Sequence, residues 1–152
     1  MPYCLNAGRL RTGRFSEPGR IYLITAVVDK RQPVFSDWRV GRLVVSQLRQ
    51  AQEAGWADFL TWVVMPDHMH CLVQLRDQTL AGLMCQVKSR SAAAVNRALG
   101  RKGRLWQKGY HERVVRREDD VKALARYVVA NPIRAKLVSR VHDYPLWDAC
   151  WL

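Results

Sequence analysis

Two apolar segments, Asp58 to Met65 and His68 to Leu75, are separated only by Pro66-Asp67. A proline–acid pair between two β-prone runs predicts a tight turn, which commits the centre of the chain to an antiparallel hairpin. The second arm opens His68-Met69-His70-Cys71. Side chains alternate faces along a strand, so His68 and His70 share one face and Met69 turns to the other, into the core. Two neutral imidazoles at that separation can chelate one divalent ion. A half-buried strand with two polar residues on its outer face shows the same pattern, and the triplet alone does not separate these readings.

The flanking segments define what the hairpin pairs with. Ile21 to Val28 is β-branched and aromatic, apolar on both faces, and so predicted as a central strand. Trp38 to Ala54 places Val40, Leu43, Val44, Leu48 and Ala51 at helical spacing, with Ser36 or Asp37 as N-cap and Gly55 as stop. Thr79 to Leu99 is a second helix with one packed and one basic face, and Leu105 to Arg116 is a fourth strand region. Glu118-Asp119-Asp120 supplies acids for the first turn of a last helix, which runs to Asn131 and ends against Pro132. Strand, helix, strand, strand, helix, strand is a ferredoxin-like α+β plan: an antiparallel sheet with helices on one face, plus an added C-terminal helix. At 152 residues and 49% hydrophobic content the chain suits one domain with a core. The expected division is a basic arm at 1–20, the folded domain at 21–138 and a tail at 139–152 that packs on the domain or extends from it.

Charge narrows the partner. The chain carries 25 Lys and Arg against 13 Asp and Glu, a net +12, and Lys88 to Arg117 holds ten basic residues and one acid, Glu112. A concentrated excess of one sign favours a polyanion, nucleic acid first and an anionic membrane surface second, since solubility alone does not require one sign. Cys4, Cys71, Cys85 and Cys150 lack the paired spacing of zinc sites and are read as reduced and structural, with Cys71 in the core. There is no apolar leader and no run long enough to span a bilayer, so a cytoplasmic location is expected.

The last helix adds the chemistry. Tyr127 and Asn131 stand four apart in Arg126-Tyr127-Val128-Val129-Ala130-Asn131-Pro132 and share a helical face. A tyrosine can attack phosphorus and conserve the phosphodiester's energy in a phosphotyrosine, provided something withdraws charge from the phosphate. Two histidines and an amide oxygen can hold magnesium or manganese for that task, although this mixed donor set would also accept zinc or cobalt.

Three motifs in order carry a resemblance: Met65-Pro66-Asp67-His68-Met69-His70, then Leu105-Trp106-Gln107-Lys108-Gly109-Tyr110-His111-Glu112, then Tyr127 through Pro132 to Val138. From about Gly19 onward the chain resembles the REP-associated tyrosine transposases, a branch of the insertion-sequence-200-like single-tyrosine HUH transposases. The resemblance implies that Tyr127 cleaves single-stranded DNA and stays joined to the 5′-phosphate. It implies that His68 and His70 are metal ligands with Asn131 in the third position, where the mobile-element branch usually has Gln. It implies a substrate of imperfect palindromes folded into hairpins and a monomeric enzyme, with a dimer exchanging nucleophile helices left open. Arg9, Arg11 and Arg14 of the arm, with Lys88, Arg90 and Asn96 of the second helix, are the expected DNA contacts.

Two positions depart from the family pattern. Asp67 stands where Asn is common, adding a charge near the metal or capping the turn. Lys136 replaces a frequent Gly, so the backbone there need not turn left-handed, and the extra cation is available to meet DNA instead. Tyr110 and Trp106 are candidates to stack on unpaired bases, with core packing an equal reading for Trp106; His111 is placed to approach the metal or the phosphate from the fourth strand, with a hydrogen-bonded structural role the favoured reading. The competing function is a noncatalytic single-stranded nucleic-acid-binding module of the same fold, which has no need of His68, His70, Tyr127 and Asn131 together.

Overall fold

The structure, a computed structural model, describes residues 19–150, less the side chains of Glu118 and Asp119. Arg9, Arg11 and Arg14 lie outside the described residues. β1 (Ile21–Val27), β2 (Ala57–Met65), β3 (His68–Leu75), β4 (His111–Val115) and β5 (Trp147–Ala149) form one sheet. Its order is β4-β1-β3-β2-β5, and every neighbouring pair is antiparallel. Between the strands run α1 (Trp38–Glu53), α2 (Leu80–Leu99), α3 (Glu118–Val129) and the single turn α4 (Asn131–Arg134). The order β4-β1-β3-β2, with α1 joining β1 to β2 and α2 joining β3 to β4, is consistent with the ferredoxin-like expectation.

The alternation along each strand divides the molecule into two cores. Tyr22, Ile24 and Ala26 of β1 and Met69, Cys71 and Val73 of β3 face α1 and α2, packing with Val44, Leu48, Leu83 and Val87. The opposite face, carrying Val63, Met65 and Leu72, is covered by Val121, Ala125 and Val128, a helical stripe of α3. His68 and His70 share the parity of Leu72 and lie on this second face, under α3. The helix starts follow the sequence: Asp37 accepts from the Arg39 amide ahead of α1, and Thr79 accepts from the Gly82 amide ahead of α2.

The tail at 139–150 packs on the domain. Leu146 is buried, its carbonyl accepts from the Val64 amide, and a Cβ on Gly41 would collide with its side chain. β5 then pairs with β2 and covers that sheet edge.

Three expectations are corrected. β4 is shorter than the predicted 105–116: Trp106, 3% exposed and donating its Nε1–H to Ser91 Oγ, meets the end of β1 only through a single bridge to Val28, and continuous pairing begins at His111. Cys85 is disulfide-bonded, while Cys71 and Cys150 are free. A disulfide depends on spatial approach of distant cysteines, which spacing along the chain does not reveal. Lys136 does adopt a left-handed backbone, at φ 60°. Its amide donates to the Ile133 carbonyl and the Leu137 amide to the Pro132 carbonyl, a helix-ending loop that requires this conformation whether or not glycine supplies it.

Candidate active site

β3 supplies two imidazoles whose ring centroids are 4.8 Å apart, edge to face. Each is held through the same ring atom. His68 Nδ1 lies 2.7 Å from Asp67 Oδ1, and His70 Nδ1 lies 2.8 Å from Thr25 Oγ1 on β1. With its proton on Nδ1, each ring donates to that oxygen and keeps the Nε2 lone pair for a ligand, the arrangement that metal-binding histidines use. The two residues therefore fit a divalent ion. Burial, then the charges of His68 and Arg134, lower the His70 pKa to about 4, so His70 is neutral at physiological pH, as ligation requires.

Asp67 does more than cap the turn. Its Oδ1 accepts from His68, and its Oδ2 accepts from Arg31 Nη1 at 3.3 Å. Desolvation raises its carboxyl pKa, but the hydrogen bond from His68 and the Arg31 guanidinium outweigh that, and the net shift is downward.

α3 brings Tyr127 over the same face. Its ring centroid is 6.5 Å from that of His70, and the side chain is 50% exposed, open to a polymeric substrate. Asn131 follows one turn later, at the start of α4, where its Nδ2 donates to the Val128 carbonyl at 3.0 Å. That leaves the amide oxygen as its available ligand atom. The exposed Arg134 lies over the tyrosine ring, its guanidinium carbon 3.9 Å from the centroid.

The expected DNA contacts fall into different settings. Lys88 Nζ donates to the carbonyls of Gln107 and Gly109 and ties that loop to α2. Asn96 Nδ2 donates to the Gly103 carbonyl at 2.9 Å, and Tyr110 packs partly buried against the main core. Arg90 is exposed, with its guanidinium over the Trp56 ring. His111 pairs with Thr25, which pairs in turn with His70, so the three stand in one row on the site face with His111 exposed.

Thr25 and Arg134 were missed by sequence reasoning. Nothing local marks Thr25, which meets His70 only through strand register. Arg134 carried a signal, since seven residues past Tyr127 is two helical turns and the same face.

Residues 19–131 match the family model described as Transposase IS200 like, a stretch that contains His68, His70, Tyr127 and Asn131. The chain belongs to the IS200-like transposase family. Among IS200-like relatives, a REP-associated tyrosine transposase of Escherichia coli (strain K12) is 30% identical over 86 residues, 55% of this chain and 49% of that protein. The match thus spans about half the length of that curated relative. A solved structure of the REP-associated tyrosine transposase bound to a REP hairpin superposes with a TM-score of 0.73 at 21% identity, covering 88% of this chain and 79% of that one. A crystal structure from Deinococcus radiodurans R1 superposes at 0.55 with 20% identity, covering 77% and 94%. At these identities the two structures speak to the fold, which they share with this IS200-like chain. No helix among the described residues is long and apolar enough to cross a membrane.

Proposed function

We propose that this protein is a metal-dependent single-strand DNA endonuclease and strand transferase that acts at hairpin-forming repeats through Tyr127. The observation that carries this reading is the meeting of Tyr127 with His70 and His68 on one sheet face, each histidine held through Nδ1. The Tyr127 oxygen attacks the scissile phosphorus as its phenolic proton is lost. The bond from phosphorus to the 3′-oxygen breaks, the 3′-hydroxyl leaves with a proton, and the 5′-phosphate remains on the tyrosine. His68, His70 and Asn131 would hold the divalent ion, magnesium or manganese, which when bound supplies Lewis-acid polarisation of the phosphate. Hairpin DNA is the partner that the excess of basic residues and the family favour, and resealing reverses the same step with a new 3′-hydroxyl.

The test is a denaturing gel of the protein mixed with labelled hairpin oligonucleotides from repeats flanking its own gene, with magnesium or manganese. A covalent adduct that needs the metal and vanishes in Tyr127→Phe is expected. Tight binding with no adduct, across several hairpins and both metals, would replace this reading with the noncatalytic binding module.

A further inference from the structure

Arg134 grips one residue at two points. Its guanidinium covers the Tyr127 ring, with the central carbon 3.9 Å from the centroid. Its Nη2 also donates to the Tyr127 main-chain carbonyl at 2.7 Å. The same carbonyl receives a longer contact from Asn131 Nδ2 at 3.4 Å, so α4 is folded back onto the residue that faces His70. Half of the Tyr127 surface is open, and on an exposed helix face a tyrosine ring is free to change rotamer in nanoseconds or less unless something holds it. His70 stands in an edge arrangement with the ring, its centroid 6.5 Å away. The guanidinium over the ring supplies a flat cationic surface that only arginine offers.

We propose that Arg134 is a positioning residue, whose guanidinium plane holds the Tyr127 ring beside His70 and keeps it aligned for attack on the phosphate. The proposal rests on Tyr127 being the nucleophile. Arg134 lies beyond the stretch that the family model matches, which ends at residue 131. Orientation is what makes such a contact matter, because misplacing a reacting group by an ångström costs on the order of a hundredfold in rate.

Two readouts on the full chain test it. The first is the rate of adduct formation at saturating hairpin oligonucleotide, together with the half-saturating DNA concentration. The second is the fluorine NMR spectrum of protein carrying 3-fluorotyrosine, without DNA, in which Tyr127→Phe identifies the Tyr127 signal. In Arg134→Ala the maximal rate is expected to fall by roughly one to two orders of magnitude, with half-saturation little changed. The Tyr127 signal is expected to move toward that of free tyrosine. Arg134→Lys keeps the charge and a donor for the carbonyl but no flat face, and is expected to recover only a small part. An unchanged rate and signal in Arg134→Ala, or full recovery in Arg134→Lys, would overturn the proposal. If the wild-type protein forms no adduct with any hairpin, the reading of Tyr127 as nucleophile fails, and the fluorine signal by itself decides whether Arg134 holds the ring.

Discussion

Thr25 Oγ1 and His70 Nδ1, 2.8 Å apart across the β1–β3 pairing, join a central strand of the fold to one candidate metal ligand. Thr25→Val keeps the shape of the side chain and removes this partner. Loss of such outer contacts typically costs 10- to 100-fold in metal affinity, and a drop of about that size is expected in a manganese titration followed by electron paramagnetic resonance. Affinity equal to wild type would mean that the ring is oriented by packing alone.

Asp67→Asn keeps the size of the side chain beside His68 and removes its charge. The amide oxygen can still accept from His68, but the carboxylate charge and its link to Arg31 are gone. Manganese binding is expected to weaken by about tenfold, the low end of the range for outer-contact changes. Stability should shift by less than about 1 kcal/mol, because the Arg31–Asp67 pair is largely solvent-exposed. A urea titration beside the metal titration checks both.

The metal-free protein should lose stability as it is acidified. Burial foremost, with the neighbouring His68 and Arg134 charges, holds the His70 pKa at about 4, below the ordinary 6.5. The unfolded chain takes up this proton near pH 6.5 and the folded chain resists until about pH 4, so the contribution is complete above 6.5 and drains away between those values. Urea midpoints measured across this window should fall, and His70→Gln should flatten the slope. An identical slope in the variant would show that other groups set the acid limb.

Lys136→Gly is expected to stabilise the protein by about 1 kcal/mol, since a side chain in the left-handed region carries a cost of that order and glycine does not. For a chain of this size the melting temperature should rise by about 2–4 °C. No rise would indicate that contacts of the Lys136 side chain offset the strain at φ 60°.

The parts that could be read from the sequence are those governed by short periods. Alternation through His68-Met69-His70 separated the site face from the core face, and the helical spacing of Val40, Val44, Leu48 and Ala51 marked the side of α1 that rests on the sheet. What escaped depends on contacts between distant segments. Thr25 meets His70 from 45 residues away. Trp106 is anchored in the core by its hydrogen bond to Ser91 of α2 and keeps only a single bridge to Val28, and the disulfide at Cys85 depends on an approach that spacing does not reveal. Lys136 illustrates a different failure: a helix-ending loop can impose its conformation on a residue that does not favour it.

The placement of α1 and α2 on one sheet face and of α3 on the other has a consequence for how such a protein ages. Most of the large buried side chains belong to the first face, while His68, His70 and Tyr127 belong to the second. Substitutions that silence the chemistry proposed for the second face can therefore accumulate without unfolding the chain. The fold would then outlast that chemistry, with its main core intact and its second face left for selection to put to another use.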